Sequence, residues 1–458
     1  MTTYQTVNPA TGEKGREFPN LNEAEVADVL TRSQSGYEAW RHTTLEERAE
    51  MLATTAALYE KRADELARII STEMGKPITE ALAEVEISTA IFQWYAVNGI
   101  GLLDEEPLDV AGAEESVVHK RPIGPLLGVM PWNFPYYQVA RFAAPNLMLG
   151  NTILLKHASS CPQSASVIEE IFQQAGLPRD AYINIFVSTD QVAEIIADSR
   201  VQGVSLTGSE KAGASVAETA GRNLKKVVLE LGGSDPFIVL DSDDMAATVA
   251  SATKGRLSNT GQACNGAKRF IVLEDVYDDF VAKLVASFEA ITPGDPLNKE
   301  TVLGPLSSQT ALDDLIEQVD NAVTDGATVL TGGKKIDGPG AFIEPTLLTD
   351  VTPDMAAYSE ELFGPVAVVY KVASADEAVT LANSSAFGLS GSVWSTDLER
   401  ARGVADQLDV GMAFVNEHGT TLPGLPFGGV KRSGFGRELG SWGMDEFVNK
   451  KLVRVSAA

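Results

Sequence analysis

Cysteine is nearly missing from this chain. Of 458 residues, only Cys161 and Cys264 are cysteine, too few for a disulfide framework and in keeping with a reducing, cytoplasmic location. Histidine is scarce as well, at four residues, and no His/Cys cluster shows metal-ligand spacing, so no metal centre is expected. No apolar run is long enough to span a bilayer. The opening Met1-Thr2-Thr3-Tyr4-Gln5 lacks the basic-then-apolar order of a secretory signal. Positive charge is short too. Lys and Arg number 36 against 63 Asp and Glu, a net charge of −27. Such a surface repels nucleic acid and anionic membranes, so neither is expected as a partner. An anionic small molecule would need a local cation. What is present is ordinary for a globular protein, 44% apolar and 22% charged residues. The length implies two or three structural units.

The first third reads as helical. Leu52, Ala56, Tyr59, Ala63, Leu66 and Ile70 recur at helical spacing, predicting one helix over Leu45–Met74, limited by Pro77. A second helix is expected from Thr79 to about Val97, then a strand over Glu115–Lys120. From Pro125 short apolar strands alternate with helices. Strands are expected at Leu126–Met130, Thr152–Lys156, Ile183–Val187, Gly203–Thr207 and Lys226–Leu231. After Leu231-Gly232-Gly233, read as a hinge, the alternation restarts with strands at Pro236–Leu240 and Arg269–Leu273. This is the pattern of an α/β protein with parallel sheets covered on both faces. Ligands in such folds bind beyond the carboxyl ends of the strands.

Several segments could carry chemistry. Asn259-Thr260-Gly261-Gln262-Ala263-Cys264 puts a cysteine on a polar, glycine-containing loop, the setting of a nucleophile or of an inert loop thiol. In Pro131-Trp132-Asn133-Phe134-Pro135 two prolines fix the backbone around one amide, either an oxyanion donor or a local turn bond. Gly208-Ser209 ends a strand and opens a helix, which suits phosphate or a plain N-cap. Glu230, at the end of an apolar strand, is a structural carboxylate or a general base with a raised pKa. Glu361 in Glu361-Leu362-Phe363-Gly364-Pro365 is equally open. Gly434-Phe435-Gly436 with Gly440 imitates a dinucleotide fingerprint at the wrong spacing and reads as a loop.

Taken together, Pro131–Pro135, Leu229–Gly233, Gly261–Cys264, Glu361–Pro365 and Pro426-Phe427-Gly428-Gly429 resemble the aldehyde dehydrogenase superfamily, in its order and across nearly the whole chain. The branch it resembles is that of bacterial succinate-semialdehyde dehydrogenases. The resemblance implies Cys264 as nucleophile, Glu230 as general base and Asn133 as oxyanion amide. It implies cofactor contacts at Trp132, Lys156, Gly208, Ser209, Leu231, Glu361 and Phe363. The implied domains are a dinucleotide-binding unit over 1–110 and 122–232 and a catalytic unit over 233–440. Residues 111–121 and 441–458 become oligomerisation segments of a homodimer or homotetramer. The expected fold is therefore two doubly wound parallel-sheet domains with a small β extension.

Two departures bear on specificity. Ser159 stands where NAD-preferring relatives often carry an acid, so a 2′-phosphate is not repelled. NADP is the expected cofactor, with NAD the alternative. His157 either adds charge there or packs as a neutral ring. Arg141 matches an arginine that binds a distal carboxylate, with a surface arginine as the other reading; a second such arginine is replaced by Ser258. Tyr137 and Thr421 complete the expected substrate contacts, although the Tyr136-Tyr137 pair would also suit an aromatic aldehyde. The leading expectation is oxidation of succinate semialdehyde through a Cys264 thioester. The alternatives are a broad or aromatic aldehyde dehydrogenase, an acylating enzyme that uses coenzyme A, and a non-catalytic protein on the same fold. Retention of Glu230 weighs against coenzyme A transfer, and retention of all three central residues weighs against loss of catalysis.

Overall fold

The computed structural model describes residues 3–457. Met1, Thr2 and Ala458, which the sequence reading included in its terminal segments, lie outside them. Two large sheets organise the chain. The first has six strands in the order Gly434–Phe435, Lys226–Glu230, Gly203–Thr207, Pro125–Met130, Thr152–His157 and Tyr182–Asn184. All its pairings are parallel except that of Gly434–Phe435. The second has seven, with Val366–Val372, Ala267–Leu273, Asp235–Val239 and Ser390–Trp394 at its centre, all parallel.

The apolar strands are continuous because both faces are covered. Leu126, Ile153 and Leu155 pack on the helices Leu45–Lys61, Ala63–Met74 and Ile78–Leu102, while Leu127, Leu154, Val204 and Leu206 pack on the opposite face with Val216. Adjacent residues of one strand thus enter different cores. Each buried Leu or Val contributes about 1.5–3 kcal/mol.

Three expectations change. The helix read over Leu45–Met74 is two helices, Leu45–Lys61 and Ala63–Met74. Arg62 leaves helical geometry at φ −103°, ψ 15° and forms ion pairs with Glu65 and Glu170. The buried stripe continues across the break, so its spacing gave no sign of it. Gly434–Phe435 is not a loop but an edge strand antiparallel to Lys226–Glu230. A segment near the end of the 233–440 stretch therefore completes the first sheet. Finally, Ala113–Pro122 and Val448–Ser456 pair with each other along their length, in a three-stranded sheet with Glu106–Pro107. Distant parts of the sequence supply each other's partner.

Candidate active site

The carboxyl ends of the first sheet carry the motif residues. Met130 leads into Asn133, Thr207 into Gly208 and Ser209, and Glu230 ends its strand. Facing them, the loop after the Met245–Leu257 helix carries Cys264. Between lies a cavity of about 320 Å³ whose lining includes Cys264, Tyr137, Phe427, Thr421, Glu80 and His418. Among the described residues no group of His, Cys, Asp and Glu could hold a metal ion.

The nucleophile loop is strained. Asn259 (φ 53°, ψ 36°) and Thr260 (φ 55°, ψ 34°) both sit in the left-handed region. That costs about 1–3 kcal/mol per residue and persists only where the surroundings impose it. Polar contacts impose it here. The Asn259 side chain donates to the Asn133 and Gln262 carbonyls at 2.9 and 3.1 Å, and its backbone N–H donates to Glu80 at 2.6 Å. Arg256, fully buried, donates to Gly261 O at 3.0 Å and to Leu362 O at 3.1 Å, tying this loop to the one bearing Glu361 and Phe363. Lys268 donates to Ala263 O and Cys264 O at 2.9 and 2.8 Å and pairs with Glu361 at 3.0 Å.

Gly232 and Gly233 are not a free hinge. A side-chain carbon at Gly233 would strike the Cys264 carbonyl, and one at Gly232 the Glu361 carboxylate. These glycines let the two halves close on the site.

Burial pushes the Cys264 thiol up to about 12, while Arg141 and Lys268 pull it down. The resting group is a thiol. Burial also raises Glu230 well above the carboxylate range, with Arg141 opposing. Neither Glu230 oxygen has a hydrogen-bond partner among the described residues. An unpartnered carboxyl with a raised pKa, close enough to the Cys264 thiol to act on it, is fitted for proton transfer rather than for structural pairing. Asn133 is buried and donates one side-chain N–H to Gln262 O at 3.0 Å; the amide has a second.

Arg141 is neither on the surface nor in the cavity wall. It is fully buried and pairs with Glu438 at 2.6 Å. It donates to the Tyr137 hydroxyl at 3.2 Å, and that hydroxyl lies 3.5 Å from Thr421 Oγ1. Its guanidinium lies over the rings of Phe427 and Tyr137, at 4.2 and 4.7 Å from their centroids. Tyr137 and Thr421 therefore line the cavity with a cation behind them.

Of the expected cofactor residues, Trp132, Lys156, Ser159, Gly208, Ser209 and Leu231 lie at or just beyond the carboxyl ends of first-sheet strands, and Glu361 and Phe363 on the segment before Val366–Val372. Lys156 forms no ion pair among the described residues, and burial lowers its pKa. Ser159 is half-buried. Ser209 caps the Glu210–Arg222 helix, and a side-chain carbon at Gly208 would meet the Leu206 side chain at ordinary contact distance. Trp132 meets Phe363 edge to face at 5.8 Å. Glu361 accepts from Gly233 N at 3.0 Å. Leu231 is committed by its side chain to packing on Gly213. His157 is buried between Pro135 O and Ala158 N, and burial lowers it to about 4. It is a neutral packing ring, and the charged reading fails.

Glu438, Lys268, Arg256, Lys76 and Glu84 were not found from sequence. No local motif marks them, and the contacts that bring them to the site, such as Glu438 to Arg141, Lys76 to Asn133 O and Lys268 to Glu361, span more than 50 residues.

The model of the aldehyde dehydrogenase family matches residues 1–453. An NADP+-dependent succinate-semialdehyde dehydrogenase of Deinococcus radiodurans is 55% identical over 451 residues, 98% of this chain and 94% of that protein. One from Mycobacterium ulcerans is 46% identical over 98% of this chain and 99% of its own length. The crystal structure of succinic semialdehyde dehydrogenase from Streptococcus pyogenes in complex with NADP+ is 44% identical, with a TM-score of 0.97 over 99% of this chain and 100% of that one. A structure of Gox0499, solved for insight into cofactor and substrate selection, is 45% identical with a TM-score of 0.98 over the full length of both chains. With the motifs, the cavity and the half-buried thiol on one site, this chain belongs to the aldehyde dehydrogenase family.

Proposed function

We propose that the protein oxidises succinate semialdehyde to succinate with NADP+ through a thioester on Cys264. The observation that carries this reading is the cavity itself. It holds a nucleophilic thiol and also the Tyr137 and Thr421 hydroxyls backed by Arg141. A distal carboxylate would accept from those hydroxyls, with the guanidinium charge one layer behind. The Deinococcus and Streptococcus relatives act on that aldehyde by name and use NADP+, which supports the same substrate and cofactor here.

The residues expected at the cofactor fit it. Lys156 offers an unpaired cation and Ser159 a hydroxyl in place of a repelling acid, suited to a phosphorylated ribose. Gly208 and Ser209 at the helix N-terminus suit the pyrophosphate. Leu231, Glu361, Phe363 and Trp132 would flank the nicotinamide end. When bound, NADP+ supplies the hydride acceptor.

The chain's own groups do the rest. Cys264 passes its proton to water in the cavity, the thiolate being favoured by Arg141 and Lys268, and its sulfur attacks the aldehyde carbon. The oxygen that gains the electron pair is held by the free Asn133 side-chain N–H and the Cys264 backbone N–H. Loss of hydride from that carbon leaves the thioester. Glu230, once ionised, takes a proton from water. The hydroxide adds to the thioester carbon, and the carbon–sulfur bond breaks to release acid and thiol.

The same reading assigns residues 1–110 and 122–232 to cofactor binding and 233–440 to catalysis, with Gly434–Phe435 contributing to the first of these. It takes residues 111–121 and 441–458 as the oligomerisation region of a cytoplasmic homodimer or homotetramer. A steady-state panel tests the function. Succinate semialdehyde with NADP+ should give the highest kcat/KM among charged, uncharged and aromatic aldehydes tried with both cofactors. Cys264→Ala should abolish oxidation and keep NADP+ binding. Ser159→Glu should weaken NADP+ far more than NAD+, by at least about 1–3 kcal/mol for a like-charge contact. A preference for uncharged aldehydes would replace the substrate assignment with the broad-specificity one.

A further inference from the structure

We propose that Glu80 and Lys76 are positioning residues that set the distance between Asn133 and Cys264. They do so by fastening both loops to the start of the Ile78–Leu102 helix. The proposal rests on the catalytic roles just assigned to Asn133 and Cys264.

The two loops come from different sheets, and nothing in the local sequence of either fixes its distance from the other. The fastening comes from one place. Lys76, fully buried and ion-paired with Glu84, donates to the Asn133 carbonyl at 2.9 Å. Glu84 accepts from Tyr136 N and Tyr137 N at 2.8 and 3.2 Å, holding the residues that follow Asn133. One turn earlier on the same helix, Glu80 accepts from Asn259 N, the first of the two left-handed residues before Cys264. The Asn259 side chain then bonds the Asn133 carbonyl directly. Asn133 O thus receives Lys76 from the start of the helix and Asn259 from the Cys264 loop. Gln262 closes the loop by donating to Asn259 O at 3.1 Å while accepting from Ser307 N at 2.9 Å.

Glu80 also lines the cavity, yet its bond is spent on the loop backbone. Its pKa is raised by burial, while the Asn259 N–H and the Lys76 charge oppose that rise. Without Glu80 the Asn259 N–H loses its acceptor, and the left-handed pair can relax towards ordinary backbone. That relaxation moves the sulfur relative to the oxyanion donors. An error of about 1 Å in such a geometry is enough to cost on the order of a hundredfold in rate.

The test is pre-steady-state formation of NADPH by the full-length enzyme with succinate semialdehyde. Glu80→Ala should slow the burst, which reads acylation, at least tenfold. NADP+ affinity by fluorescence titration, the KM and the deacylation rate should stay within about twofold. Glu80→Gln keeps an acceptor oxygen at the same reach and should recover most of the burst rate. Glu80→Asp is one methylene short and should not. These last two variants decide the matter if the alanine variant folds poorly by circular dichroism. A wild-type burst that Glu80→Ala and Glu80→Asp leave unchanged overturns the inference alone. Absence of any burst in the wild type, with Cys264→Ala still active, overturns the catalytic reading beneath it.

Discussion

Arg141 acts on four groups at once. It pairs with Glu438, bonds the Tyr137 hydroxyl, and lowers the pKa of both Cys264 and Glu230. Arg141→Met should therefore do more than weaken a charged substrate. With Glu438→Gln added so that no buried carboxylate is left unpaired, kcat/KM should fall for an uncharged aldehyde as well. It should fall further for succinate semialdehyde, by about 1.5–3 kcal/mol for a charge-assisted contact. Equal losses on both substrates would leave Arg141 only its electrostatic role. The pH dependence has a definite sign. The thiol and the Glu230 carboxyl must each lose a proton to act, and burial holds both above their ordinary values. Acylation and deacylation should thus both rise with pH through neutrality, and the double variant should shift both limbs to higher pH. Stopped-flow burst and steady-state profiles separate the two. The central residues Cys264, Glu230 and Asn133 were legible in sequence because each lies in a distinctive motif. Arg141 was legible only as a position. Its partner Glu438 lies 297 residues on, and no spacing rule reaches that far.

The elements between Pro125 and Glu289 follow the sequence reading within a few residues, because strands buried on both faces leave short, unbroken apolar runs. What the sequence could not show, even there, were contacts with partners far away in the chain. Among the helices that begin without a side-chain cap of their own are Tyr137–Leu149, after Tyr136, and Pro162–Gln174, after Cys161. Their first N–H groups are taken by carboxylates from other helices. Glu84 serves the first. Glu73 serves the second, accepting from Gln163 N and from Ser164 N and Oγ, and also from Thr6. No capping signature appears in the sequence because the cap is not adjacent. Glu73→Ala would leave several buried donors unmet, at about 1–3 kcal/mol each. We expect a lower urea midpoint and faster amide exchange at Gln163 and Ser164. Unchanged exchange at those two amides would show that another acceptor replaces Glu73.

At the scale of the whole molecule, the strand Val448–Ser456 is paired on one side by Ala113–Pro122 and lies at the edge of its sheet. Leu452, Val453 and Val455 are exposed on it. An open apolar edge invites another chain, and in a protein of net charge −27 the association must overcome mutual repulsion. Light scattering should give a mass above that of one chain, falling towards it in Leu452→Glu and, for the wild type, at low salt. A monomer at every concentration would refute this. The sequence reading put both segments in the oligomerisation region but gave them no mutual pairing, since Val117 and Val453 meet across more than 300 residues. Cys161, finally, is wholly buried, and its thiol is pushed far up by that burial, whereas Cys264 is half-buried in the cavity wall. A small alkylating reagent thus meets one available sulfur per folded chain and a second only after unfolding. The incorporated label counts competent subunits, so a preparation can be standardised by its working fraction rather than by its total mass.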